Sequence, residues 1–141
     1  MRLSARNQLR GKIVSVQQGI VNALVTLDAN GVLVSANITK ASAQELGLEP
    51  GKAAIAVIKS TEVMIGLEKV RLSVRNQFAG KITSIELGAV NSIVRVAIEG
   101  GNTITSVISI ASVKELGLKE GQDVYAVSYT HLRAHETTLH L

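Results

Sequence analysis

Apolar and polar residues alternate along the first half of the chain, in short runs that end at glycine turns. Successive side chains of a strand point to opposite faces of a sheet, so this alternation predicts strands over residues 9–17, 21–27, 32–38, 52–58 and 61–65. Asn30 and Gly31 predict a tight hairpin, because both residue types tolerate positive φ. Residues 40–46 predict one short helix that ends at Gly47.

The second half of the chain repeats the first. The run Ser-Ala-Arg-Asn-Gln at residues 4–8 returns as Ser-Val-Arg-Asn-Gln at residues 73–77, and residues 41–48 match residues 111–118. The repeated pattern predicts strands over residues 78–85, 90–98, 103–108 and 122–127, and a helix over residues 111–116. We therefore expect two copies of one small module, the first over residues 1–68 and the second over residues 69–127.

The order of elements indicates a fold. Three strands, a short helix and two more strands are typical of a small Greek-key barrel of the oligonucleotide/oligosaccharide-binding (OB) type. The expected fold class is all-β, with two tandem five-stranded OB-like barrels and one short helix in each. Nothing after residue 127 matches residues 61–65, so the second barrel is expected to lack its last strand. Residues 128–141 are expected to be an atypical tail, disordered or artefactual.

The tail holds all three histidines, His131, His135 and His140. The spacing of His131 and His135 would allow both to hold a metal ion from one face of a helix. No further ligand accompanies them and the repeat does not include them, so we expect no metal-cation site.

Composition narrows the class of partner. Modules of this size lie near the lower limit for independent folding, so we expect an oligomer. The chain has no cysteine, no secretory signal and no apolar run of membrane-spanning length, which predicts a cytoplasmic protein without a membrane partner. The net charge of +4 favours an anion. With one Phe, two Tyr and no Trp, nucleic acid is not the expected partner.

Catalytic chemistry finds no support in the repeat. No nucleophile, base or carboxylate pair recurs at matching positions. The acids that do recur, Glu45 and Glu115, fit capping boxes with Ser42 and Ser112. We therefore expect a binding protein and not an enzyme.

The polar residues shared by both modules are hydrogen-bond donors. One pair stands two residues apart at the head of the first strand, where both side chains face the same side. Another pair flanks the start of the helix, where backbone amides lack partners and an anion can bind. A Lys-Ser pair follows in the first module alone. These donors are Ser4, Arg6, Thr39, Ser42, Lys59 and Ser60 in the first module and Ser73, Arg75, Ser109 and Ser112 in the second.

A site with hydrogen-bond donors and no carboxylate favours anions that carry no proton of their own. Hydrogen phosphate carries a proton that needs an acceptor, whereas a fully ionised tetrahedral dianion offers acceptors only. Sulfate, molybdate and tungstate therefore stay open. Asn22 and Asn91 follow a glycine turn in each module and are either turn formers, the favoured interpretation, or part of a second site.

The run Leu-Ser-Ala-Arg-Asn-Gln-Leu-Arg-Gly-Lys-Ile at residues 3–13, with residues 19–23 and 46–51, resembles the molybdenum-binding Mop domain, or molbindin. Two such domains in tandem are similar to the di-Mop molybdate storage proteins. The resemblance implies OB-type barrels that assemble into homotrimers and bind molybdate or tungstate between domains and between subunits. It also implies that the donors named above hold the anion. The Lys-Ser pair has no match in the second module, where Tyr129 and Thr130 stand.

The expected function is therefore storage or buffering of molybdate and tungstate, without an organic cofactor or a catalytic step. Two alternatives stay open. One is a molybdate-sensing module that works with a transport or regulatory partner. The other is a single-stranded nucleic-acid-binding barrel.

Overall fold

The computed structural model describes residues 6–69, 75–129, 134–135 and 138–140, and it describes the backbone alone for Arg6, Arg75 and the residues from 129 onward. The described part of the chain forms strands and two short α-helices, one in each module. In chain order the elements are β1 (Arg6–Gln18), β2 (Asn22–Ala29), β3 (Val32–Thr39), α1 (Lys40–Glu45), β4 (Ala53–Lys59), β5 (Val63–Gly66), β6 (Arg75–Leu87), β7 (Asn91–Ile98), β8 (Thr103–Ser109), α2 (Ile110–Leu116), β9 (Asp123–Tyr129), β10 (Ala134–His135) and β11 (Thr138–His140).

The long first strand of each module curls its sheet. β1 pairs with β4 through its first half and with β2 through its second half, and its register shifts between Ile13 and Ser15. β6 pairs in the same way with β9 and β7, with the equivalent shift between Ile82 and Ser84. A bulge bends a strand and increases its twist, so one strand can serve both sides of a half-barrel.

The second sheet has the strand order β5-β9-β6-β7-β8. Its edge strand β5 belongs to the first module and pairs antiparallel with β9, so that Ile65 lies opposite Ala126. The expectation that the second barrel lacks its last strand is thereby corrected: the sheet has five strands, four from the second module and one from the first. The predicted boundaries at residues 68 and 127 stay predictions.

The prediction of an atypical tail over residues 128–141, disordered or artefactual, also stays a prediction. Strand β9 continues to Tyr129, and β10 and β11 lie within residues 134–140. β11 pairs in parallel with β4, at the edge of the first sheet that β5 leaves open. The described parts of residues 128–141 are therefore strands. His131 lies outside the described residues.

One apolar core runs through both modules. Alternate residues of the strands point inward, and β2 buries Ala23, Val25, Leu27 and Ala29 in this way. The helices add Ala43 and Val113, each the buried residue of its helix. Burying a Val, Leu or Ile side chain contributes about 1.5–3 kcal/mol, so the strands owe their stability to this shared core.

The β2–β3 and β7–β8 turns meet at the boundary between the modules. Asn30 and Gly31 have φ of 55° and 91°, as the predicted hairpin requires. The side chain of Asn102 donates to the carbonyl of Ala29 at 3.1 Å. Glycine is needed at position 100, where φ is 76° and a Cβ would overlap the carbonyl oxygen of Asn30. No helix in the described ranges is both long and apolar enough to cross a membrane.

Candidate anion-binding site

A pair of hydroxyl groups lies at the start of each helix, and we call these the cap pairs. In the first cap pair, Thr39 Oγ1 accepts from the backbone N–H of Ser42 at 3.1 Å and donates to Ser42 Oγ at 2.7 Å. Ser42 Oγ therefore accepts a hydrogen bond from Thr39, and the O–H of Ser42 can donate to a third group. This leaves one hydroxyl proton free for an anion.

The second cap pair has the same geometry. Ser109 Oγ accepts from the backbone N–H of Ser112 at 3.1 Å, and the two Oγ atoms lie 2.8 Å apart. α2 is followed by Gly117, whose φ of 62° is the left-handed conformation typical of a helix cap. The duplicated motif thus yields duplicated local chemistry.

The helix amides are less open than the sequence predicts. The N–H of Lys40 donates to Val21 O at 2.8 Å, and that of Ile110 donates to Val90 O at 3.0 Å. The N–H of Ser42 is engaged by Thr39. Because α1 has six residues and α2 has seven, the cap-pair hydroxyls are the stronger candidates for anion donors.

Asn22 and Asn91 lie beside the cap pairs. Asn22 is the cross-strand partner of Thr39, and Asn91 is that of Ser109. The carbonyls of both asparagines accept the N–H of the preceding turn glycine, at 2.7 Å from Gly19 and 2.8 Å from Gly88. Their backbones therefore close the turn, which fits the favoured interpretation, while their position keeps a second-site role as a prediction.

Three further predicted residues meet where β1 and β4 pair. Arg6 lies opposite Lys59, and Ser60 follows at the start of a 3₁₀ turn, Ser60–Glu62. Lys59 is half-buried and makes no ion pair with any described residue. Ser60 Oγ is fully buried and has no hydrogen-bond partner within the described ranges. A buried hydroxyl without a partner is unfavourable, and Ser60 shares this state with Ser92 and Ser128.

In the second module Arg75 occupies the place of Arg6 and lies opposite Tyr129 instead of a lysine. The Lys-Ser pair is therefore present in one module only. Ser4 and Ser73 lie outside the described residues. Tyr129, which stands at the place of Lys59, carries no positive charge.

The 3₁₀ turn that follows Lys59 packs against β8 of the second module. Ser106 Oγ of β8 donates to the carbonyl of Val63 at 2.6 Å. Since β8 ends at Ser109, the turn that begins at Ser60 lies against the strand that leads to the second cap pair. The structure thus joins predicted residues from different modules.

Two asparagines that sequence reasoning missed connect the modules. Asn7 Nδ2 donates to the carbonyl of Thr105 at 2.9 Å, and the N–H of Thr105 donates to Asn7 Oδ1 at 2.7 Å. Asn76 makes the same two bonds to Ser35, with its Nδ2 2.9 Å from the carbonyl and its Oδ1 2.8 Å from the N–H. We call these contacts the asparagine bridges. The available signal was an asparagine in the repeated motif at an inward-facing strand position.

A separate groove of about 760 Å³ lies on the outer face of the second sheet. Gly80, Lys81, Asp123 and Tyr125 line it, and Lys81 Nζ is paired with Asp123 Oδ1 at 2.7 Å. Glu99 adds a second carboxylate. This charge pattern disfavours a dianion, so the groove is not the anion site.

Comparison with known proteins identifies the family of this chain. The model of the TOBE domain matches residues 3–65 and 72–127. The chain belongs to the TOBE domain family. Its two copies stand in tandem, and the resemblance to Mop domains is confirmed by the relatives of this TOBE protein.

The solved structure of the cytoplasmic molybdate-binding protein ModG, with molybdate bound, is similar to this TOBE protein over 92% of this chain and 94% of ModG, with a TM-score of 0.84 and 39% identity. This likeness confirms the predicted fold class of two tandem β-barrel modules.

Curated relatives include the molybdenum transport protein ModE of Azotobacter vinelandii, 40% identical over 86% of this chain and 46% of ModE. The molybdenum-pterin-binding protein MopA of Rhodobacter capsulatus is 38% identical over 86% of this chain and 47% of MopA. This TOBE protein therefore spans about half the length of both relatives. A probable molybdenum-pterin-binding protein of Haemophilus influenzae is 51% identical over 48% of this chain and its own full length.

Proposed function

We propose that this TOBE protein binds molybdate, and by the same chemistry tungstate, as a cytoplasmic store or buffer without a catalytic step. The observation that carries the proposal is the duplicated cap pair, in which Thr39 and Ser42, and again Ser109 and Ser112, form a hydroxyl pair whose protons are not all used internally. The likeness to molybdate-bound ModG supports the choice of anion.

The proposed first site combines residues from both modules. Lys59 directly precedes the turn Ser60–Glu62, and this turn packs against β8, which leads to Ser109 and Ser112. Arg6, opposite Lys59, supplies a second cation, and Ser4 is proposed to add a hydroxyl. Each charge-assisted hydrogen bond contributes about 1.5–3 kcal/mol, so a few of them reach micromolar affinity after ordering costs.

The proposed second site is equivalent to the first, with the contributions of the two modules exchanged. It combines Ser73 and Arg75 with Thr39 and Ser42. The Lys-Ser pair is missing from this site. Asn22, beside Thr39, and Asn91, beside Ser109, would each add a side-chain amide at the edge of the neighbouring cap pair. We therefore propose that the second site binds more weakly than the first.

Assembly into a homotrimer is part of the proposal. The tips of the first hairpins expose apolar side chains in both modules, with Val21 69% exposed and its counterpart Val90 73% exposed. Paired exposure at equivalent positions is what an interface between copies of a chain would cover. The proposed partners are therefore the oxyanion and further copies of this chain, without nucleic acid or membrane.

Calorimetric titration of molybdate tests the proposal. The wild type is expected to bind with micromolar affinity, and phosphate at neutral pH is expected to compete poorly because its proton finds no acceptor. Arg6→Ala is expected to weaken binding by about tenfold or more, the effect of losing one charge-assisted bond. Arg10→Ala, which removes the same charge from an exposed position of β1, is the control and should leave the affinity unchanged. Absence of molybdate binding by the wild type would contradict the proposal.

A sensing module is the second candidate, favoured by the 40% identity to ModE over less than half of ModE's length. In that case molybdate would act as a signal to a partner protein. Comparing the chain's complexes in cell extract with and without molybdate separates the two roles. A stoichiometric partner that binds only in the presence of molybdate supports sensing, whereas homo-oligomers alone support storage.

A further inference from the structure

The asparagine bridges link the residues of the proposed sites across the module boundary. Asn7 is 6% exposed and Asn76 is 7% exposed, so both amides are buried at the contact between modules. Each amide matches the N–H and the C=O of one residue in the other module. A side-chain amide can donate a hydrogen bond to the C=O and accept one from the N–H of the same backbone residue. The two bonds together fix the position of the partner strand.

On its own module, Asn7 joins the two strands that carry cations. It follows Arg6 in β1, and its Nδ2 also donates to the carbonyl of Ile58 at 3.3 Å. Ile58 directly precedes Lys59 in β4. The Asn7 amide is therefore bonded beside both cationic positions of the first module.

On the other module, Asn7 holds the strand that carries the second cap pair. Its partner Thr105 lies in β8, and Thr105 and Ser109 share one face of that strand because their positions differ by an even number. The bridge of Asn76 to Ser35 stands in the same relation to Thr39 at the end of β3. The two bridges thus cross: the motif of each module is bonded to the strand that leads to the other module's cap pair.

We infer that Asn7 and Asn76 are positioning residues, and that each sets the oxyanion site at the cap pair of the opposite module. This inference rests on the proposed function. Asn7 would govern the anion at Ser109 and Ser112, and Asn76 the anion at Thr39 and Ser42. Sequence proximity alone would assign them the other way round.

Crystals of Asn7→Ala and Asn76→Ala, soaked in limiting molybdate, test the crossed assignment through the anomalous scattering of molybdenum at each cap pair. Relative to wild type, Asn7→Ala is expected to lower molybdenum occupancy at the Ser109 and Ser112 cap pair by about tenfold. This is the lower end of the loss in affinity that follows when a residue orienting a metal ligand is removed. Occupancy at Thr39–Ser42 should stay near that of wild type. Asn76→Ala should give the reverse pattern.

The two variants serve as controls for each other. Both lose two cross-module hydrogen bonds from equally buried sites, so a general loss of stability would lower both occupancies in both proteins. Equal losses, or a loss confined to the cap pair of the same module, would overturn the inference. Wild-type crystals without molybdenum at either cap pair would instead refute the proposed function.

A milder pair of variants keeps the test open if an alanine variant does not fold. Asn7→Gln and Asn76→Gln retain the amide but displace it by one methylene. The same crossed pattern of occupancy is expected with a smaller amplitude. An uncrossed pattern in the glutamine variants would overturn the inference as well.

Discussion

The two modules of this TOBE protein have the same hydroxyls and the same bridges, but they differ in the cation that accompanies them. Cap pair, asparagine bridge and strand bulge occur in both. At the position of Lys59, opposite the arginine strand, the second module has Tyr129. We propose that the shared features organise a donor site in each module, and that the difference in charge makes the two sites unequal in affinity.

A second difference lies inside the barrels. Ala23 of the first module is replaced by Ser92, which is fully buried and has no hydrogen-bond partner among the described residues. The exchanged strand β5 adds a third asymmetry, because it contributes to the second sheet and comes from the first module. The modules are therefore equivalent in local pattern and unequal in long-range contacts.

The largest expected loss of stability comes from two glycine variants, which test whether the modules share one backbone geometry. A Cβ at Gly11 would overlap the carbonyl oxygen of Asp28, and one at Gly80 would overlap that of Ala97. Gly11→Ala and Gly80→Ala are each expected to lower the free energy of unfolding by about 3 kcal/mol, because backbone must move. Urea denaturation measures the loss.

Gly66→Ala is the matched control for these variants. It lies in a strand, and its added Cβ would meet no described atom closer than Glu68 O at 3.3 Å. A loss well below that of the other two variants is expected. If Gly11→Ala and Gly80→Ala differ widely from each other, the two modules do not share this close approach.

Local pattern predicted most elements of this fold. The helix predicted over residues 40–46 is α1, Lys40–Glu45, and that predicted over 111–116 is α2, Ile110–Leu116. β1 begins at Arg6, before the predicted start at residue 9, because its polar first residues pair with β4. The pairing of β5 with β9 was not predictable, since alternation gives a strand but not its partner.

The next effect concerns the cation that distinguishes the modules. Lys59→Met is expected to weaken molybdate binding at the stronger site by about thirtyfold, which corresponds to about 2 kcal/mol for one charge-assisted bond. Titration calorimetry measures the loss, with Lys119→Met, an exposed lysine between α2 and β9, as control.

The reverse change gives the second module the missing pair. Tyr129→Lys combined with Thr130→Ser is expected to raise the affinity of the weaker site toward that of the stronger one. If the affinities of the two sites still differ as much as in the wild type, the difference in charge does not explain the difference in affinity between the modules.

The candidate site was predictable as a set of residue types, but not as an arrangement. Thr39 with Ser42 and Ser109 with Ser112 could be paired from their spacing at a helix start. The packing of the 3₁₀ turn Ser60–Glu62 against β8 of the other module is a tertiary contact that no local pattern encodes. The role of Asn7 depends in the same way on a partner distant in sequence.

The smallest effect exchanges the interior residues of the two barrels. Ser92→Ala is expected to raise the free energy of unfolding by about 1 kcal/mol, because it removes a buried hydroxyl without a partner. Ala23→Ser, the opposite exchange, is expected to lower it by a similar amount. Thermal unfolding measures the change in stability of both variants. If both variants are stabilised, or both destabilised, the two barrel interiors are not comparable at this position.

Native mass spectrometry with and without molybdate tests the central claim most directly, because one spectrum reports both subunits and bound anions. The expected result is a trimer that gains whole molybdate units, filling one class of sites before the other. A monomer that takes up no molybdate at any concentration would contradict the account.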